Sequence, residues 1–371
     1  VRKVPAGEPQ SDVQVDFGWT PCSPQTVGRF SAVAYYFGRE LHGKLEVPIG
    51  LIHTSWGGTR IEPWTPPAGF TKQENTKYIT DIIAKADANY RKYVTANLPR
   101  IEAWIAETKK AIAEDKPISP MPGGLPKHQL ENAGAPTGLY NGMVHGIVPF
   151  AIRGAIWYQG ESNRGQGMHY RDLMEALITG WRTVWSQEVN RDFPFYFVQL
   201  APFNYGNHPT ALPEIWEAQT RVLATVPNTG MAITTDIGDV KDIHPRNKQD
   251  VGKRLALWAL AEGYGNDKLV YSGPMFKEMK VEDGKAIITF DHVGGGLSAR
   301  DAKPLTHFEI AGEDKVFVPA KAEIVGETVV VTAGTVAKPL AVRFGWNHTA
   351  EPNLMNQEGL PAGPFRTDDW K

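Results

Sequence analysis

Three short stretches of this chain combine residue types that can stabilise a developing negative charge or move a proton. Ser55-Trp56-Gly57-Gly58-Thr59 follows an apolar run. Two consecutive glycines let the backbone turn sharply and aim N–H groups at an anion, as the tetrahedral intermediate of ester cleavage requires. The same residues also satisfy a plain tight turn. Trp157-Tyr158-Gln159-Gly160-Glu161-Ser162-Asn163 offers several side-chain donors and one carboxylate. A Gln or Asn where a strand ends is a plausible second oxyanion donor, and the alternative is a polar loop. In Asp239-Val240-Lys241-Asp242-Ile243-His244-Pro245, Asp242 stands two residues before His244. In extended chain the two point the same way, so the acid can orient an imidazole acting as general base. Read otherwise, His244 merely leads into a helix with Pro245 near its first turn.

These loops need elements to hold them. Residues 31–46 carry apolar residues at helical spacing, and 48–53 predict a buried parallel strand before the glycine turn. Strands are expected at 151–158, 193–200 and 230–235, with helices at 169–185, 211–225 and 248–263. That alternation predicts a parallel sheet covered on both faces. Residues 72–115 predict a pair of helices broken at Leu98-Pro99, and 116–138 a surface loop. Beyond about 266 the helical period stops. Val281 with 286–290, then 307–311, 322–332 and 340–344, alternate or are β-branched. The expected organisation is an α/β domain over 1–265 with a helical insertion at about 66–135, followed by a β-rich domain over 266–371.

Composition narrows the chemistry. A net charge of -2 over 371 residues leaves no basic footprint for nucleic acid or an anionic membrane surface. No apolar run reaches the roughly 18 residues of a membrane span. The ten histidines are scattered and no H-E-x-x-H occurs, so no metal site is expected; no phosphate-binding glycine motif occurs either, and no cofactor is called for. Cys22, the single cysteine, stands between prolines with no adjacent base. Eleven Trp and twelve Tyr suit the stacking of sugar faces, although most aromatics build cores. The opening Val1-Arg2-Lys3-Val4-Pro5 is neither a signal peptide nor an initiator, so an upstream segment is expected.

The stretches 47–64 (VPIGLIHTSWGGTRIEPW), 138–163 (GLYNGMVHGIVPFAIRGAIWYQGESN) and 236–260 (DIGDVKDIHPRNKQDVGKRLALWAL), with NLMNQEGLPAGPFRTD at 353–368, resemble the sialate O-acetylesterase family of SGNH (GDSL-like) hydrolases. The resemblance implies a flavodoxin-like three-layer α/β/α domain with β-rich additions, and removal of O-acetyl groups from sialic acid or another glycan. It puts the family's glycine block on Gly57 and Gly58, its Gln-Gly-Glu block on Gln159, Gly160 and Glu161, and its catalytic His on His244. The acid is assigned to Asp242, with Asp239 in reserve, because the third position before His244 is Lys241. From their places beside the motifs, Trp56, Trp64, Tyr140, Asn141, Glu161 and Asn163 are expected to border the sugar. The family's Gly-Gln-Ser-Asn nucleophile block is absent, so the serine is expected outside this chain, in an N-terminal segment or second chain. Ser55 and Ser162 are read as scaffolding. The resemblance also implies a secreted or periplasmic location. The competing readings are a carbohydrate-binding protein without turnover, and an acetylxylan esterase.

Overall fold

In a computed structural model, residues 1–125, 127–186 and 191–370 are described. The chain forms two compact units. One comprises Val1–Asp16, Thr54–Phe150 and Ala176–Ser186; the other comprises Phe17–His53, Ala151–Glu175 and Gln187–Lys371.

The second unit contains the parallel sheet. Strands β1 (Ala155–Trp157), β2 (Phe195–Val198) and β3 (Thr229–Ala232) lie in the order β1-β2-β3, with Ile156 opposite Tyr196 and Phe197 opposite Met231. Parallel neighbours need long crossovers, and helices fall between successive strands in sequence. Helices α1 (Ala32–Leu45), α2 (Lys77–Ala113), α3 (His169–Trp185), α4 (Ala211–Thr225) and α5 (Lys248–Trp258) are the long ones. Every residue of β2 is buried, which is what a central parallel strand with both faces covered demands. Tyr196 and Val198 pack with Leu41 of α1 and with Val251, Leu255 and Trp258 of α5. Phe195 and Phe197 alternate with them, so they face the other way, and both are fully buried. On α4, Trp216 donates its indole N–H to Leu200 O at 2.7 Å, and Gln219 donates to Val198 O at 3.0 Å.

Two expectations need correction. Residues 48–53 are not a strand: they are coil, outside every described sheet, and Ile52 is 39 % exposed. An apolar run becomes a buried strand only when neighbours take up its N–H and C=O groups. Residues 77–113 are one helix, α2, rather than two, and it runs through Pro99. Proline removes the bond to the carbonyl four residues earlier. That carbonyl belongs to Thr95, which is exposed, so water satisfies it and the helix continues.

After 266 the same unit is β structure, as the alternation predicts. Met275–Glu282, Lys285–Asp291, Thr328–Thr332 and Lys321–Val325 form one four-stranded antiparallel sheet in that order. Phe365–Arg366, Ala341–Phe344, Phe308–Ala311 and Val318–Pro319 form another. Their inward residues, among them Ile288, Phe290, Val329, Val331, Phe308, Ile310 and Phe344, share one core.

The first unit packs its opening segment onto the short helix Gly138–Met143. Ala6 N–H donates to Gly138 O at 2.9 Å, and a Cβ at Gly142 would lie 2.0 Å from Val4 O. Residues 116–125 are largely exposed coil, as expected of a loop, but Leu130 and Ala135 turn inward and pack on Ala86 of α2. No described helix is long and apolar enough to cross a membrane.

Candidate active site

In the second unit, candidate side chains are carried by chain that leaves the carboxyl ends of β1, β2 and β3, where open parallel sheets bind ligands. After β1 the chain enters a one-turn helix, Glu161–Asn163, through Gly160 at φ 149°. A side chain at that φ is strained, so glycine is needed there. Gln159 and Asn163 are buried. The Tyr170 hydroxyl donates to Gln159 Oε1 at 2.9 Å, Gln159 Nε2 donates to Asn163 Oδ1 at 2.7 Å, and Asn163 Nδ2 donates to Gln166 Oε1 at 2.7 Å. The two amides expected to meet substrate are thus oriented by a continuous hydrogen-bond chain.

After β3, Asp236 anchors the 236–247 loop. Arg254 of α5 binds it in two bonds of 2.6 Å, Nη1 to Oδ1 and Nη2 to Oδ2. His244 projects into solvent with 87 % of its side chain exposed. Asp242 Oδ1 lies 4.0 Å from His244 Nδ1, beyond hydrogen-bonding reach, and accepts the His244 backbone N–H at 2.9 Å instead. Asp239, the reserve acid, accepts the Lys241 N–H at 2.9 Å. Both carboxylates therefore shape the loop by capping its backbone.

Glu161 is the electrostatic centre of this region. Burial pushes its carboxyl up, while its own backbone N–H, the Lys248 ammonium, the nearby His244 side chain and the Gly160 N–H oppose the shift. Burial lowers the Lys248 ammonium, against the pull of Glu161 and Asp242. Lys248 Nζ stands 5.1 Å from the Tyr158 ring centroid, a cation–π contact. Burial pushes the Tyr158 and Tyr205 phenols up, and the Glu161 charge adds to both. Three of these residues, Tyr158, Tyr205 and Lys248, carry no site expectation from the sequence. The one signal for Tyr205 is position, since it sits in the exit loop of β2.

In the first unit, Gly57 and Gly58 lie on an exposed turn. Gly58 has φ +78°, and a Cβ at either glycine would meet nothing within 4 Å. Among the described residues the Gly57 N–H donates to no protein acceptor. Thr59 Oγ1 donates to Trp56 O at 2.7 Å and accepts Trp64 Nε1 at 2.9 Å, so a buried tryptophan fixes the turn through one hydroxyl. Trp56 is partly exposed. Tyr140 and Asn141 are buried, and Asn141 Nδ2 donates to Ala6 O at 3.2 Å and Gly7 O at 3.1 Å. Burial pushes the Tyr140 phenol up to about 12. Trp64, Tyr140 and Asn141 support the surface from beneath.

Residues 126–261 match the family described as carbohydrate esterase, sialic acid-specific acetylesterase. The sialate O-acetylesterase of Rattus norvegicus is 30 % identical over 293 residues, 72 % of this chain and 50 % of that protein. The sialate O-acetylesterase of Homo sapiens is 27 % identical over 384 residues, covering 95 % of this chain and 64 % of the human protein. The chain therefore spans about half to two thirds of the length of these relatives. A crystal structure of a carbohydrate acetylesterase from Xanthomonas citri superposes with a TM-score of 0.79 at 35 % identity, covering 100 % of this chain and 72 % of that one.

Proposed function

The chain belongs to the carbohydrate esterase family of sialic acid-specific acetylesterases, and we propose that it takes part in removing O-acetyl groups from acetylated sugars by Ser-His-Asp acyl transfer. The observation that carries this reading is geometric: in one unit, Gln159 and Glu161 lie on the chain leaving the carboxyl end of β1 and His244 on the loop following β3, the end at which open parallel sheets bind ligands. In the proposed reaction His244 accepts the serine hydroxyl proton as Oγ attacks the acetyl carbonyl. The Gln159 amide is assigned to the oxyanion. As the intermediate collapses, the sugar oxygen leaves with the proton from His244. Water, deprotonated by His244, then attacks the acyl-serine; acetate departs and the proton returns to Oγ. Asp242 orients His244 after a rotation of the imidazole shortens the present 4.0 Å separation. Glu161 and Asn163 border the sugar. The nucleophile is a serine outside these 371 residues, and Ser55 and Ser162 serve their own loops.

The test is acetate release from O-acetylated N-acetylneuraminic acid and from acetylated xylo-oligosaccharide, with fluorophosphonate labelling in parallel. Adding the relatives' preceding segment in trans or by fusion is expected to confer activity that His244→Ala lowers by about 10³-fold or more. Unchanged activity in His244→Ala would refute the mechanism. A label on Ser55 or Ser162 that His244→Ala abolishes would refute the external nucleophile. One observation favours a second reading, a sugar-binding protein without turnover: the Asp242 carboxylate is engaged by backbone rather than by the imidazole. That reading predicts saturable sugar binding and no acetate even with the preceding segment.

A further inference from the structure

Arg164 follows the Glu161–Asn163 turn and is exposed, yet its guanidinium is held in place. It lies 4.3 Å from the centroid of the Tyr205 ring. A guanidinium seated on an aromatic ring uses its face and leaves its edge N–H donors outward, in the fork that fits a carboxylate bidentately. Among the described residues no carboxylate is within ion-pair distance of Arg164.

Both halves of the stack are anchored. Arg164 N–H bonds to Glu161 O at 3.4 Å, and the Asn163–Gln166 amide pair closes the turn at 2.7 Å. Next to Tyr205, the Asn204 N–H donates to Val240 O at 3.0 Å, which joins the β2 exit loop to the loop bearing His244. Phe203 N–H donates to His348 O, and His348 N–H to Pro209 O, each at 2.8 Å. A preset cation with unused donors, one short loop away from the proposed general base, is what recognition of an anionic sugar substituent requires.

We propose that Arg164, seated on Tyr205, is the specificity-determining residue of the proposed esterase site and binds the carboxylate of an acidic acetylated sugar. Resting on the acetylesterase reading, this inference narrows the substrate to sugars carrying a carboxylate, whether a sialic or a uronic acid. Its test is binding, so that it stands or falls separately from turnover.

Titration calorimetry or ligand-observed NMR compares N-acetylneuraminic acid with its methyl ester, and galacturonic acid with its methyl ester, at low ionic strength. For at least one pair the acid is expected to bind about tenfold more tightly than the ester, the size of one charge-assisted contact. Arg164→Gln is expected to bring that ratio to about one, and Arg164→Lys to restore part of it. The preferred pair identifies the source of the carboxylate. Equal binding of acid and ester by the natural chain, a ratio that survives Arg164→Gln, or no measurable binding of either acid overturns the proposal. Loss of the ratio in Arg164→Gln without acetate release would keep the subsite and remove the esterase reading.

Discussion

Arg254 holds Asp236 through two parallel bonds of 2.6 Å and spends a third, at 2.7 Å, on Ile233 O. The two side chains are only 10 % and 11 % exposed. Helix α5 thereby grips the first turn of the loop that bears His244. Removing one partner strands the other charge, which costs about 3–5 kcal/mol where the pair is buried. Arg254→Met is therefore expected to lower the unfolding free energy by about 3 kcal/mol, measured by urea denaturation. Asp236→Asn in the same background should then add little, because the two changes share one interaction.

Glu161 predicts an unusual response to pH. Its folded carboxyl is raised above the ordinary value of 4.5, chiefly by burial. The native state therefore holds this proton more tightly than the unfolded chain does. The resulting penalty is absent below the ordinary value, grows as pH rises from there to the folded pKa, and is constant above it. Glu161→Gln carries no such charge. Its urea midpoint relative to the natural chain should rise across that window and then level off. A difference that is flat from acid to neutral pH would show that Glu161 is not desolvated.

Gly252 marks the seam between α5 and α1. A Cβ there would lie 2.6 Å from Tyr36 Cβ and 2.7 Å from Phe37 N, so the helices would have to separate. Gly252→Ala is expected to destabilise by about 2 kcal/mol, in the range of overpacked cores. Gly43 in α1 meets nothing within 4 Å, and Gly43→Ala should instead stabilise by about 0.5–1 kcal/mol. Thermal or urea unfolding of the pair distinguishes close packing from helix propensity.

Gly58 offers a purely conformational test. Its φ of +78° strains any other residue, and its surroundings are open. Gly58→Ala should lose about 1 kcal/mol with no steric clash. If the turn supplies oxyanion donors, Gly58→Ala should also depress any acetate release, while Gly57→Ala, free of strain and clash, should leave stability nearly unchanged.

Much of this architecture is legible in the residues, because burial imposes periods on them. The alternation in Lys285–Asp291 and Thr328–Thr332 puts Ala286, Ile288, Phe290, Val329 and Val331 inside, as a half-covered sheet requires. The fully apolar β2 announces a central strand in the same way. Where the reading departs from the structure, a partner or a solvent decided the outcome. Residues 48–53 have the composition of a buried strand, but composition does not provide the ladder neighbour. Pro99 has the local signature of a break, but an exposed face supplies water to the freed carbonyl. At the site, His244 and Gln159 stand out because their types are chemically marked. Arg164 and Tyr205 do not, since a stack between residues forty-one apart has no signature in either neighbourhood.

The hydrogen bonds linking Tyr170, Gln159, Asn163 and Gln166 have a direction as well as a geometry. Gln159 and Asn163 each receive at the oxygen and give from the nitrogen, so each inherits its orientation from the group before it. Turning Asn163 over alone would set nitrogen against nitrogen at its joint with Gln159 and oxygen against oxygen at its joint with Gln166. The loop thus behaves as a polarised relay with a single sense, written by a tyrosine whose hydroxyl is buried in α3. A substrate meeting Gln159 or Asn163 encounters donors and acceptors whose order was decided before it arrived.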